Sequence, residues 1–306
     1  MAKSRKYSDP EVLAAIAGLM FRARHVVEGT ISGLHKSPFH GHNVEFAQYR
    51  DYAPGDDLRR LDWRVVGRTD RFYIKQYEEE SNLQATIVMD ASASMRYGSG
   101  PLTKFDYGAT LAASLATLLV EQQDPVGLAL FDHQQRKILP PVATQSQLAL
   151  IIGHLEEASP DRETDLGTVL QTLADQLKRR GLIIIISDLL TELPAFFDGI
   201  DRLRHRGNEV LILHILDADE LDMPFNDYVL FRDIEGTEQF FAEPWAFRKA
   251  YCAAMQEFVT EITNGCGARG IDHLLLRTDQ ELAAGLSHYL HARERLQHIH
   301  HKGRRG

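Results

Sequence analysis

The sequence has 306 residues, of which 44% are hydrophobic and 25% are charged, as is typical of one large globular domain or two smaller ones. Lys and Arg number 34 against 43 Asp and Glu, and the net charge of -9 has the wrong sign for a partner with a nucleic-acid backbone. The longest apolar runs, 12–21 and 182–186, are shorter than the roughly 20 residues that cross a bilayer. We therefore expect no nucleic-acid partner and no membrane span. The first residues lack the pattern of a secretory signal, so we also expect a cytoplasmic location.

Charge and pattern divide the chain into three parts. Residues 1–82 hold 13 basic and 12 acidic side chains, whereas acids exceed bases from residue 83 onward. The first part opens with a predicted helix that begins near Ser8, Asp9 and Pro10, and continues as turn-rich sequence with short strands. We predict an N-terminal accessory region at 1–82, an α/β domain at 83–292, and a basic, His-rich tail at 293–306.

From residue 83 the sequence alternates between strand and helix patterns. The strands are predicted at 85–89, 126–131, 136–139, 182–186, 208–215 and 271–276, with a hairpin at 227–241. The helices are predicted at 104–122, 145–157, 166–178, 195–206, 244–264 and 279–291. The run 182–186 is almost purely β-branched and apolar, as in a central strand covered on both faces. The fold class is therefore α/β, with a mostly parallel central sheet flanked by helices.

Two acids stand where predicted buried strands end. Asp90 follows the first strand of the α/β domain and Asp188 follows the strand 182–186. In an open doubly wound sheet, ligands bind beyond the carboxyl ends of the strands, where the strand order reverses. If these two strands are neighbours, both carboxylates open into one crevice. Carboxylate and hydroxyl oxygens are ligands for Mg²⁺, or for Mn²⁺.

Three separated loops supply oxygen ligands to this predicted crevice. Asp90, Ser92 and Ser94 form an Asp-x-Ser-x-Ser spacing, and Thr164 precedes the helix predicted at 166–178, while Asp188 ends a later strand. This set resembles a metal-ion-dependent adhesion site. The alternative is that Asp90 and Asp188 only cap the helices that follow them and that the serines fill a turn.

Longer motifs carry a family resemblance over nearly the whole chain. They are Ser37-Pro38-Phe39-His40-Gly41, Glu45-Phe46, Tyr49-Arg50-Asp51-Tyr52, Pro54-Gly55-Asp56-Asp57, Leu61-Asp62-Trp63, and Lys75 with Glu78-Glu79-Glu80. Together with the predicted site they strongly resemble the domain of unknown function family 58, whose members carry a von Willebrand factor A-like (Rossmann-like) domain. The resemblance implies a metal site at Asp90, Ser92, Ser94, Thr164 and Asp188.

The resemblance also implies a function. Members of that family are interaction proteins, often encoded beside MoxR-type AAA+ ATPases, so we expect an adaptor or cofactor of such an ATPase, or of a client protein, in protein maturation or stress response. Residues 45–75 contain seven basic and six acidic side chains. Such balance favours an internal ion-pair network at least as much as a docking surface, for which the candidates are Arg50, Asp56, Asp57, Arg59 and Arg60.

Three functions remain open. The first is a non-enzymatic binding module in which a metal ion accepts a partner's carboxylate. The second is a Mg²⁺-dependent phosphoryl-transfer enzyme with Asp90 as nucleophile, which Ser92 disfavours because such enzymes place a second acid there. The third is a metal-independent assembly scaffold. The sequence has no Gly-x-x-x-x-Gly-Lys motif, so we expect ATP hydrolysis to come from a partner.

Overall fold

The computed structural model describes residues 19–20, 22–23, 26–27, 46–51, 73–77, 84–132, 135–161, 165–177, 180–232, 234, 239–282 and 287. The chain divides into two compact units, the first made of residues 1–36 with 83–306 and the second of residues 37–82. In the second unit, β1 (Phe46–Asp51) pairs antiparallel with β2 (Tyr73–Tyr77). The remaining description concerns the first unit.

A six-stranded sheet forms the centre of the first unit. Its strands are β3 (Ala85–Asp90), β4 (Val126–Phe131), β5 (Gln135–Val142), β6 (Leu182–Ser187), β7 (Glu209–Leu216) and β10 (Asp272–Arg277). They lie in the order β10-β7-β6-β3-β4-β5, and all neighbours are parallel except β4 and β5. The predicted α/β class with a mostly parallel sheet is therefore confirmed.

Helices flank this sheet, and a small hairpin is added after β7. The helices are α1 (Lys104–Glu121), α2 (Gln145–Glu157), α3 (Leu166–Gln176), α4 (Leu193–His205), α5 (Ala218–Asp222) and α6 (Pro244–Ala268). The hairpin consists of β8 (Val229–Arg232) and β9 (Gln239–Ala242). Every residue of β3, β4 and β6 is buried, as the nearly continuous apolar runs of these strands predict.

The order of the strands creates the point where a ligand is expected. From β3 the chain proceeds outward through β4 to β5, and then returns to β6 on the other side of β3 before continuing to β7. Strands β3 and β6 are therefore neighbours, with Met89 in register with Ile186. Asp90 and Asp188 consequently leave the same edge of the sheet at its topological switch point.

Helix α1 packs on the sheet through almost its whole length. A capping box at its start joins Thr103 and Asp106, whose backbone N–H donates to the Thr103 hydroxyl at 3.0 Å. Of the helical residues near the amino terminus, Leu19, Ala23 and Val27 are buried, and the Ser114 hydroxyl donates to the Ala23 carbonyl at 3.4 Å. The spacing of four between these three residues places them on one helix face.

The observed elements differ from the prediction in a few places. Strand β5 continues through Pro140 and Pro141 to Val142, which an edge strand permits because prolines there need not donate to a neighbour. The 3₁₀ helix Ala93–Arg96 and the short α5 were not predicted. Most of the helix predicted at 279–291 lies outside the described residues. Within the part of the chain that the structure describes, no helix has the length and apolar character that crossing a membrane requires.

Candidate functional site

Four of the five predicted metal-site residues meet at the switch point. The backbone N–H of Ser92 donates to Asp90 Oδ1 at 2.9 Å, and the hydroxyl oxygens of Ser92 and Ser94 lie 3.1 Å apart. The Ser94 hydroxyl lies near enough to the Asp188 carboxylate to act to lower its pKa. Asp90, Ser92 and Asp188 are fully buried. The fifth residue, Thr164, lies outside the described residues.

The two buried carboxylates differ in their protonation. Burial, together with the neighbouring Asp188, raises the pKa of Asp90 to about 7, and bonds from Ser187 and Ser92 only partly offset this. Burial also acts to raise the pKa of Asp188, but the ammonium of Lys104 holds it below the usual value of 3.8. Asp188 is therefore the firmly ionised member of the pair.

The crevice contains a cation that sequence reasoning missed. Lys104, the first residue of α1, is fully buried, and its Nζ donates to Asp188 Oδ2 at 2.8 Å and to Glu220 Oε1 at 2.6 Å. A lysine at the start of a helix is ordinarily solvated, so its residue type and position gave no reason to expect that this one is buried. The available indication was the capping residue Thr103, which fixes the start of α1 at the same sheet edge.

A polar network extends from Lys104 along that edge. Glu220 Oε2 accepts a bond from the backbone N–H of Asp217 at 2.8 Å, as part of the capping box of α5. The Asp217 carboxylate accepts bonds at 2.6 Å from the hydroxyls of Ser99 and Thr278. These bonds tie the loop that follows the 3₁₀ helix to the ends of β7 and β10.

Two histidines support the loop that carries Asp188. His214 Nε2 lies 2.9 Å from the Asp188 carbonyl oxygen and must donate to it, so its Nδ1 accepts a bond from His273 Nε2 at 3.3 Å. Burial, with His273 beside it, lowers the pKa of His214 to about 3. His214 is therefore neutral in the folded protein at physiological pH.

A strained backbone turn directly follows Asp188. Leu189 is buried with φ +56°, a conformation that side chains other than glycine rarely adopt. Bonds from the Leu189 N–H to Ser187 Oγ at 3.0 Å and from the Leu190 N–H to Asp188 Oδ1 at 3.2 Å hold this turn. Strain that the surroundings maintain in this way is concentrated at functional sites.

Several large aromatic side chains of the hairpin and of the start of α6 are exposed. We call the side chains of Tyr228, Phe240, Phe241 and Trp245, which include residues on both faces of the hairpin, the aromatic patch; Phe241 is 77% and Phe240 59% exposed. Phe240 stacks on Phe231 with 5.5 Å between ring centroids, and Tyr228 packs against Trp245 at 5.3 Å. Arg96, in the 3₁₀ helix beside Ser94, donates to the carbonyl of Ile234 at 3.3 Å. The hairpin therefore reaches the site loop.

Other candidate sites are less developed. A cavity of about 480 Å³ is lined by Arg22, Arg96 and Glu156 among others, but by none of the predicted metal-site residues. Among the described residues, no three His, Cys, Asp or Glu side chains are grouped to hold a metal ion. Of the docking candidates, Arg50 lies in β1, and Asp56, Asp57, Arg59 and Arg60 lie outside the described residues.

The donor set at the crevice fits a hard divalent cation. It combines the buried carboxylates of Asp90 and Asp188 with the hydroxyls of Ser92 and Ser94, and oxygen ligands of these kinds suit Mg²⁺ and Mn²⁺. The raised pKa of Asp90 reflects first its burial and then the neighbouring charge of Asp188. Lys104 is paired with Asp188 and with Glu220, so part of the negative charge of the crevice is already balanced.

Comparisons with known proteins give the following similarities. A family model described as "Protein of unknown function DUF58" matches residues 48–260. The uncharacterized protein Rv1480 of Mycobacterium tuberculosis is 29% identical over 296 residues, which cover 94% of this chain and 91% of the relative. The uncharacterized protein YeaD of Bacillus subtilis is 24% identical over 171 residues, 55% of this chain and 40% of YeaD. The crystal structure of the conserved hypothetical protein BatB from Bacteroides thetaiotaomicron has a TM-score of 0.47 at 18% identity, covering 69% of this chain and 98% of BatB.

Proposed function

The chain belongs to the family described as "Protein of unknown function DUF58", and from that premise we propose that it is a non-enzymatic protein-interaction module. Its crevice binds Mg²⁺ or Mn²⁺ through Asp90, Ser92, Ser94 and Asp188, with Thr164 as a further ligand. A bound divalent ion offers an open coordination position to a carboxylate of a partner protein. The convergence of the four described ligand candidates at the switch point between β3 and β6 carries this proposal.

The aromatic patch supports binding of a protein rather than of a small molecule. Exposed clusters of large apolar side chains mark interaction surfaces on soluble proteins, and aromatic residues are enriched in them. Only Pro244, Ile262 and Cys266 are buried among the 25 residues of α6, so the first half of this helix and the hairpin leave apolar surface uncovered.

The partner we propose is a MoxR-type AAA+ ATPase, or a client that the ATPase remodels, in the cytoplasm. This part of the proposal comes from the family resemblance in the sequence. It agrees with the missing phosphate-loop motif, since an adaptor needs a separate source of ATP hydrolysis.

Phosphoryl transfer is the less favoured alternative. It requires a second acid to protonate the leaving group, and Ser92 occupies the position two residues after Asp90.

A metal-independent scaffold is favoured by one observation. Lys104 already neutralises Asp188, so the crevice has a cation of its own. In that function the carboxylates and Lys104 would serve assembly of the domain, and partner binding would not change on removal of divalent ions.

Calorimetric titration of Mg²⁺ and Mn²⁺ into chelator-stripped protein tests the main proposal. We expect one-site binding that Asp90→Asn abolishes. Asp201→Asn is the matched control, because it also removes the charge of a paired carboxylate. Asp201 lies in α4 and is paired with Arg269. Since α4 ends shortly before β7 begins, Asp201 lies at the opposite edge of the sheet from the crevice. One-site binding that Asp90→Asn retains with the wild-type affinity would refute the metal site. Capture of the ATPase that persists unchanged in chelator would instead support the scaffold.

A further inference from the structure

Helix α1 by itself does not favour a positive charge at the position of Lys104. It is the first residue of α1, where the positive end of the helix dipole favours anions over cations. It is also fully buried, and burial of an ammonium is costly unless the charge is paired. Burial acts to lower the pKa of Lys104, but Asp188 and Glu220 hold it above the usual value of 10.5.

The contacts of Lys104 connect it directly to the candidate metal ligands. Its Nζ uses Asp188 Oδ2, while Asp188 Oδ1 accepts the Leu190 N–H. Both oxygens of this carboxylate are therefore engaged without a metal ion. Asp90, in contrast, accepts bonds from uncharged donors, and no ammonium or guanidinium is paired with it within the described part of the chain.

The charges of the crevice are consequently distributed unevenly. Asp188 and Glu220 share the ammonium of Lys104, and Asp90 is left beside them. A divalent cation among Asp90, Ser92 and Ser94 would be attracted by Asp90 and repelled by the ammonium that holds Asp188. In a buried crevice such a repulsion is only weakly screened.

We propose that Lys104 is a resident cation that competes with the divalent ion for Asp188 and so sets the metal affinity of the crevice. It keeps Asp188 in place when no metal is bound, and it weakens metal binding until a partner's carboxylate adds a ligand. The inference rests on the proposed function and adds to it a residue that is not itself a metal ligand.

The test compares charge-balanced variants by calorimetry with Mg²⁺ and Mn²⁺. Lys104→Met combined with Glu220→Gln removes one positive and one negative charge, and it leaves Asp188 available to the metal. Glu220→Gln alone is the matched control, because it retains the pair between Lys104 and Asp188. We expect the double variant to bind metal at least about tenfold more tightly than Glu220→Gln, and to show a larger rise in Tm on addition of Mg²⁺.

A second variant is included in case the double variant does not fold. Lys104→Gln keeps an uncharged donor near both carboxylates, and circular dichroism and the thermal transition verify that each variant is folded. The same direction of change is expected relative to the wild type. Tighter metal binding in either folded variant supports the proposal, including the case in which the wild type alone shows no binding.

The failures are distinguishable. If the wild type binds metal and loss of Lys104 leaves the affinity equal or weaker, Lys104 does not compete and this inference is wrong, while the metal-dependent function stands. If neither the wild type nor any folded variant binds Mg²⁺ or Mn²⁺, the metal site and this inference both fall.

Discussion

The crevice buries charged side chains that are usually exposed, whereas the aromatic patch exposes large apolar side chains that are usually buried. The crevice buries the charges of Asp90, Asp188 and Lys104, and the patch exposes Phe240 and Phe241. Arg96, in the 3₁₀ helix beside Ser94, donates to the carbonyl of Ile234, which lies between the two strands of the hairpin. Buried charges are tolerated only when paired, whereas exposed aromatic side chains cost the fold little. The crevice should therefore be sensitive to substitution, and the patch should matter mainly to a partner.

The largest effect is expected from breaking the buried ion pair. Lys104→Met leaves Asp188 and Glu220 buried near each other without their cation, so we expect the free energy of unfolding to fall by about 3–5 kcal/mol. Arg202→Met is the control, since its pair with Asp175 is about half exposed and should cost less than about 1 kcal/mol. Denaturant unfolding measures both. Similar losses in the two variants would remove the contrast between buried and exposed charge.

A pH-dependent effect is expected from His214. Its pKa is about 3 in the folded protein, against an ordinary value of 6.5, because burial and His273 disfavour the charged form. Between these values the unfolded chain binds a proton that the folded protein does not, so stability falls as the pH drops below 6.5 and is retained above it. The expected slope is about 1.4 kcal/mol per pH unit from this group.

His214→Gln isolates this contribution. The variant keeps a donor for the Asp188 carbonyl but cannot take up a proton, so its stability between pH 4 and 6 should depend less steeply on pH than that of the wild type. Parallel pH profiles for the two proteins, measured by denaturant unfolding, would show that His214 is protonated equally in the folded and unfolded states.

The smallest effect on stability is expected in the aromatic patch. Phe241→Ser should change the free energy of unfolding by less than about 0.5 kcal/mol, because the ring is 77% exposed. Phe196→Ala, at a fully buried position of α4, is the reference and should cost about 3–5 kcal/mol. Capture of the ATPase by Phe241→Ser protein should nevertheless weaken. A large loss of stability in that variant would assign the patch to the core of the domain.

Much of the first unit could be predicted from local sequence. The strands β4 and β6 and the helix α2 have strong periodicity or continuous apolar runs, and the predicted bounds agree with the observed ones to within a residue. The short α5 has one turn and no apolar face to bury, so its pattern carried no periodicity. The longest helix, α6, begins at the predicted residue 244 and continues four residues beyond the predicted end at 264.

The candidate site, too, could be predicted only in part from local sequence. The sequence by itself determined that Asp90 and Asp188 follow buried strands, because a long apolar run ending at an acid has few other interpretations. Only the tertiary structure decided that β3 and β6 are neighbours, which brings the two acids together. It also decided that Lys104 and Glu220 join them, 116 residues apart in the chain. Contacts between distant residues depend on strand order and helix placement, and no local pattern encodes these.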